Sequence, residues 1–281
     1  MRYRRPGLDV LSHAILIIGV LLFGLPLVLA LLASTQEANA LFSGTFPLTP
    51  GDAGLDNYLT LLREPITGVG APAWQLLINS LVMALGIACG KLVISIMAAY
   101  AIVFFRFPGR HLCFWLIFMT LMLPIEVRIV PTYAVVANLG LLDSYPGLIL
   151  PLIASATATF LFRQFFLTLP PELLEAARID GAGPWRFFFD FLLPLSKTNL
   201  AALFVIMFIY GWNQYLWPLL AVTGGDHATL VMSLKRLTIA TDGTPPWHLA
   251  TAMAILALLP PVVVVIVMQR WFVKGLVETE K

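Results

Sequence analysis

Four residues stand out because their chemistry does not suit their neighbours: Lys91, Glu126, Arg128 and Asn213 each lie in or beside a long apolar run. Lys91 falls mid-way along its run, where an ammonium costs on the order of 3 kcal/mol unless it meets a cavity or an anionic partner. Such a residue is a candidate for an anion's route; the alternatives are a buried pair with Glu126 or a side chain reaching a carbonyl. Glu126 and Arg128, set between Pro124 and Pro131, either line a charged entrance or mark a water interface. The planar fork of Arg128 suits bidentate binding of a phosphate. Asn213 and Gln214 bring amides into another apolar run, for bonding to a neighbouring helix or for lining a cargo route.

Other groupings carry no chemistry. Gly86 to Lys91 superficially suggests a phosphate loop, but it has one residue too few between its glycines and no Ser or Thr after Lys91. Gly86 and Gly90 are read instead as a small-residue packing face. His13, His111, His227 and His248 are scattered, and Cys89 and Cys113 fit neither a disulfide framework nor a metal-ligand spacing. No nucleophile–base pair and no metal site can be assembled, so neither an enzyme nor a cofactor of its own is expected.

A different kind of pattern occupies Pro170 to Pro194. Pro171 suits the first turn of a helix, and Glu172 and Glu175 near that end complement its dipole. Ala176 and Ala177 follow, then Asp180-Gly181 supplies a turn, glycine adopting positive φ at little cost. A second stretch, Pro184 to Leu193, carries Trp185, Phe187, Phe188 and Phe189 before Pro194 is expected to stop it. Small residues on one helix let a partner surface approach, and aromatics on the other anchor the pair. An amphipathic connector resting on a lipid surface is the alternative.

The elements that must hold these residues are apolar helices. Of 281 residues, 59% are hydrophobic and 11% charged, against about 25% charged in soluble domains; mean hydropathy is +0.90. So few charges cannot cover a water-facing surface. Six apolar blocks fall at Val10–Ala33, Leu76–Phe105, Leu112–Val130, Gly147–Phe166, Leu200–Val222 and Leu249–Phe272, each near the roughly 20 residues a bilayer requires. Pro26, Pro124, Pro151, Pro260 and Pro261 sit inside blocks, as membrane helices tolerate. The fold class is all-α: a polytopic membrane protein with six transmembrane helices, read as a single domain over residues 1–281.

Placing both termini in the cytoplasm puts Arg2, Arg4, Arg5, Arg106, Arg110, Arg163, Arg178, Arg186, Lys197, Arg270, Lys274 and Lys281 inside. Only Arg63, Arg128, Lys235 and Arg236 fall outside, as the positive-inside rule requires. Arg2 to Arg5 with Ala38-Asn39-Ala40 also suggests a cleavable signal. The first block is too long for that, at about 24 residues against the 7–15 of a signal core. Segments Ser34–Trp74 and Thr223–His248 fall outside, and the stretch from Pro170 to Pro194 falls inside.

On its residues that stretch is specific. Glu175-Ala176-Ala177, three residues, Gly181, nine residues, then Phe191-Leu192-Leu193-Pro194 resembles the EAA loop of ABC-importer permeases, with Phe191 where isoleucine is usual. Gly211 to Pro218 resembles the corresponding helix of carbohydrate-importer permeases. The stretches Phe105–Pro108, Leu121–Ile129, Leu142–Tyr145 and Ala154–Leu220 are most similar to permeases of sn-glycerol-3-phosphate importers. The outer segments fit least well.

The resemblance implies a coupling loop at about 168–197, with Glu175, Ala176, Ala177, Gly181, Phe191, Leu193 and Pro194 docking on a separate ATPase. ATP and Mg would be used there and not in this chain. It further implies a second homologous permease, an ATPase homodimer, a periplasmic substrate-binding protein, a bacterial inner membrane and no nucleic-acid partner. The cargo implied is sn-glycerol 3-phosphate or a glycerophosphodiester, with a sugar or polyol as the alternative. A secondary transporter would show an internal repeat and intramembrane carboxylates, and the sequence has no clear sign of either.

Overall fold

A computed structural model describes residues 6–42, 48–122, 125–239 and 245–277. In chain order the helices are α1 (Pro6–Ser34), α2 (Gly54–Arg63), α3 (Ala73–Phe104), α4 (Arg110–Met119), α5 (Ile125–Asn138), α6 (Tyr145–Ile149), α7 (Ala156–Leu167) and α8 (Pro171–Ile179). They continue as α9 (Pro184–Leu195), α10 (Lys197–Trp212), α11 (Leu216–Ala221), α12 (Leu230–Thr238) and α13 (Trp247–Val277). Among the described residues there is no strand.

Three of these helices are long and apolar enough to cross a bilayer alone, in the stretches Val10–Ser34, Ala73–Phe104 and Trp247–Arg270. They match the first, second and sixth apolar blocks. Pro26 lies inside α1, and Pro260 and Pro261 inside α13, without ending either helix. The 32 residues of α3 extend about 48 Å, more than the roughly 30 Å of hydrocarbon. The second block therefore projects beyond the bilayer or tilts within it.

The other blocks are broken. The fourth is α6 followed by α7, bent by 49°. Pro151 sits in the 3-10 turn Leu150–Leu152 between them, and Ser155 leaves the helical conformation to cap α7, its Oγ accepting from the Ala158 amide at 3.2 Å. The fifth is α10 and α11, separated at Asn213-Gln214-Tyr215. The third, expected as one helix over Leu112–Val130, is α4, a 3-10 turn at Thr120–Met122 and α5. The ten residues of α4 reach only about 15 Å, half the hydrocarbon.

The chain divides into two compact units, one from the described residues of Met1–Gln75 and Ser233–Leu259, the other from those of Leu76–Met232 and Pro260–Lys281. In the first, the polar segment after α1 is ordered around Asn57. Its buried Nδ2 donates to the Ser34 and Gln36 carbonyls at 3.0 and 2.9 Å, and Ser34 Oγ bonds Tyr58 Oη at 3.0 Å. These bonds hold α2 to the end of α1 by satisfying carbonyls that α1 leaves open.

In the second unit α3 is the central post, with Met83, Ala84, Ile87 and Ala88 buried. A Cβ on Gly86 would stand 2.6 Å from Ile149 Cδ1, and one on Gly90 would stand 2.5 Å from Ile153 Cγ2. The two glycines are thus the small-residue packing face expected of them. Near the start of α3, Asn79 donates to the Asp226 and Ala228 carbonyls at 2.8 and 2.9 Å and accepts from Tyr145 Oη at 2.6 Å. Ser80 Oγ accepts from the Leu230 amide at 2.7 Å. These bonds pin the segment leading into α12.

Candidate functional site

The alanine–glycine motif becomes a helix end whose geometry explains its spacing. Pro171 occupies the first turn of α8 and Glu172 lies beside it. At the other end Gly181 has φ +71, a left-handed conformation that costs an L-residue roughly 1–2 kcal/mol. The Ala182 amide reaches back to the Ala177 carbonyl at 2.8 Å, and the Gly181 amide to that of Arg178 at 3.0 Å. This pair of bonds is a Schellman motif, which requires its left-handed residue four positions after Ala177. The three residues between Ala177 and Gly181 are the last turn of α8 and its cap.

The same helix has two faces. Ala177 is buried, whereas Glu175 and Ala176 are exposed, as is Ile179 at 85%. Past the turn, Trp185 and Phe189 are also exposed, stacked with ring centroids 6.1 Å apart. Exposed apolar groups gathered in this way form a patch that a partner surface or lipid can cover. Arg186 and Asp190 form an exposed pair at 3.4 Å that contributes little.

The alternate aromatics point inward. Phe187 and Phe188 are buried against the end of α3: Phe188 lies 5.2 Å from the Tyr100 ring and Phe187 5.4 Å from Phe104. Tyr100 Oη donates to the Pro184 carbonyl at 2.8 Å, fixing the first residue of α9 to α3. The start of α9 is therefore bolted to α3 by rings and one hydrogen bond.

Pro194 does not stop α9. The stretch Phe187–Leu192 is wound as a π-helix, and the re-tightened segment Leu193–Leu195 begins with Pro194 in its first turn, where a missing amide is tolerated. The break comes at Ser196, whose amide and Oγ both donate to the Leu192 carbonyl, at 3.0 and 2.6 Å. There α9 and α10 meet at 74°. Phe191 and Leu193 are half-buried and Pro194 is exposed.

The second group is organised around Lys91. Its side chain is 5% exposed, and Nζ lies 3.5 Å from the centroid of the Tyr210 ring, a cation–π contact. The ring is supplied by α10, which comes so near α3 that a Cβ on Gly211 would stand 3.1 Å from Ala84 Cα. Arg128 is exposed. The side chain of Glu126, the expected alternative partner, lies outside the described residues. Asn213 is exposed and takes the C-terminal cap position of α10. Tyr210 carried no sequence signal beyond its place beside Gly211.

The loop face contributes one further feature. Asp143 has φ +51, and its carboxylate accepts from Thr223 Oγ1 at 2.8 Å and from the amides of Thr223 and Gly224 at 2.7 and 3.2 Å. The Thr223 hydroxyl, then the Thr223 amide, hold the carboxyl below its ordinary value of 3.8.

Residues 91–278 match the family described as binding-protein-dependent transport system inner membrane component. The chain belongs to that family. Similarity extends beyond the matched segment. The chain is 58% identical over 278 residues to the sn-glycerol-3-phosphate transport system permease protein UgpE of Yersinia pestis. It is 56% identical over 277 residues to that of Escherichia coli K12 and 55% over 283 residues to that of Brucella melitensis, each comparison covering 99% of both chains. Among solved structures, it resembles a bacterial ABC transporter involved in alginate import, with TM-score 0.82 and 22% identity over 97% of this chain and 99% of that one. The fold is thus that of an ABC-importer permease. As a permease subunit the chain is not itself an enzyme. In this permease the Schellman turn after Ala177 and the ring-anchored α9 occupy the stretch whose residues resemble the EAA loop.

Proposed function

We propose that this permease carries sn-glycerol 3-phosphate across the bacterial inner membrane as one half of a heterodimeric channel driven by a separate ATPase. The observation carrying this reading is the 55–58% identity to glycerol-3-phosphate permeases over 99% of the chain. Similarity at that level runs through the transmembrane helices as well as the coupling motif, so it bears on cargo and not on energy input alone.

The exposed side of α8 and α9 docks on the ATPase. Glu175, Ala176 and Gly181 lie at the contact, while Phe191, Leu193 and Pro194 keep α9 helical up to the bend at Ser196. ATP and Mg are used by the ATPase homodimer, and this chain holds no cofactor. Closure of that dimer pushes α9, which is tied to α3 through Tyr100 and runs directly into α10. Rigid-body rocking of these helices gives alternating access. Both termini lie in the cytoplasm, each broken block counts as one crossing, and both units act as a single permease domain. A periplasmic binding protein delivers the cargo, and lipid surrounds α1, none of whose residues from Val10 to Leu32 is buried within the chain.

The test is co-purification of the assembled complex followed by a survey of ligands for stimulation of its ATPase. Stimulation by the binding protein loaded with sn-glycerol 3-phosphate, and not by maltose or glycerol, is the expected result. Stimulation by a neutral sugar alone would reassign the cargo.

A further inference from the structure

An ammonium buried in a bilayer-spanning segment is normally neutralised by a carboxylate. Lys91 is 5% exposed, yet no described carboxylate is seen in an ion pair with it, and it has the face of Tyr210 instead. A ring face attracts a cation through its quadrupole but carries no net charge. The contact therefore stabilises the ammonium without cancelling it. A cation held against a ring face, with no carboxylate paired to it among the described residues, is what a small dianion requires of its route.

The geometry points to Lys91 as the ammonium that receives the cargo's phosphate, with Tyr210 as the residue that positions it. This rests on the glycerol-3-phosphate reading and adds to it the residues that recognise charge. Both side chains stand beside close helix contacts. Gly90, next to Lys91, packs against Ile153, and Gly211, next to Tyr210, packs against Ala84. The backbone on either side of the contact has no room to drift, so cation and ring meet at a fixed separation.

They also lie on different helices, and each helix leads to the coupling motif. The lysine's helix α3 bonds to Pro184 through Tyr100, and the tyrosine's helix α10 follows α9 across the bend at Ser196. Rocking that carries α9, α3 and α10 together moves the Lys91–Tyr210 pair as one body, and a phosphate oxygen that reaches the ammonium displaces the ring face from it. No covalent step is involved.

The experiment uses the complete complex, with second permease, ATPase and binding protein, in proteoliposomes, and reads sn-glycerol-3-phosphate uptake alongside ATP hydrolysis. For Lys91→Gln and Tyr210→Leu, uptake is expected to fall by about tenfold while loaded binding protein still stimulates ATPase to within about twofold, the size of a lost charge-assisted bond. Lys91→Arg and Tyr210→Phe, which keep charge and ring, retain uptake within about threefold. Four results would overturn the inference: unchanged uptake in Lys91→Gln, loss in Tyr210→Phe equal to that in Tyr210→Leu, failure of Lys91→Gln to assemble, or a Glu126→Gln defect matching Lys91→Gln. The last two would make Lys91 a structural charge. A wild-type complex that does not move sn-glycerol 3-phosphate refutes the cargo reading itself, whereas a competent wild type with an unaffected Lys91→Gln refutes only this assignment.

Discussion

Replacing Gly181 separates two reasons for a glycine at the end of α8. One is backbone: φ is +71, and the Schellman bonds from Ala182 and Gly181 require that conformation. The other is space for the ATPase. Within the chain nothing lies within 4 Å of an added Cβ, so alanine meets no clash from the permease itself. Its cost is then the left-handed backbone, roughly 1–2 kcal/mol, which lowers the population of the intact turn about 5- to 30-fold. Asparagine is larger than alanine but adopts the left-handed region far more readily. The order of ATP-coupled uptake should therefore be glycine, asparagine, alanine, valine. Expression level and melting temperature should stay near wild type, because the strain is confined to an exposed turn. The assay is uptake in proteoliposomes normalised to ATP hydrolysed. If activity instead follows size, with alanine above asparagine, the glycine serves close approach of the partner and the backbone argument fails.

Further outcomes follow from the same geometry. Tyr100→Phe keeps the rings against Phe187 and Phe188 but leaves the Pro184 carbonyl without its donor, a loss of about 1 kcal/mol; uptake per ATP should fall while complex assembly holds. Gly90→Ala should lower the melting temperature more than Gly86→Ala. The added carbon meets the stiff branched Cβ region of Ile153 in the first case and the movable tip of Ile149 in the second, and overpacking a rigid site costs about 1–3 kcal/mol. Asp143 has a folded-state pKa held below its unfolded value near 3.8. Its contribution is complete above that value and disappears as pH falls through the folded one. Limited proteolysis near Thr223–Gly224 should accelerate on acidification in the wild type, and Asp143→Asn should remove that dependence.

How much of this was legible in the sequence depends on whether a feature is written in backbone demands or in packing. Gly181 and the three residues before it were readable because a Schellman turn allows few residue types at its left-handed position. Gly86 and Gly90 were readable for a related reason, since only a missing side chain permits the approach of Ile149 and Ile153. Long apolar runs gave α1, α3 and α13 directly. At the third block hydropathy counts side chains and not backbone geometry, so α4, its 3-10 turn and α5 merged into one expected helix. Pro194 misled in the opposite sense: the π-winding of Phe187–Leu192 that places it in a new first turn has no residue signature. Lys91 was conspicuous because its charge contradicts its surroundings. Tyr210 was not, because a tyrosine in an apolar run looks ordinary until the fold puts an ammonium over it. Asp143 was hidden likewise, its partners Thr223 and Gly224 lying 80 and 81 positions away.

The central claim, that this permease passes sn-glycerol 3-phosphate under ATPase control, is tested most directly by transport in a sealed system. The full complex is reconstituted with ATP enclosed on the ATPase side and labelled sn-glycerol 3-phosphate supplied with binding protein on the other. Saturable accumulation that requires ATP, is competed by unlabelled sn-glycerol 3-phosphate and not by glycerol or maltose, and is lost in Gly181→Val is the predicted result. Accumulation without ATP, or an ATP-driven complex that moves a neutral sugar and leaves sn-glycerol 3-phosphate outside, would contradict it.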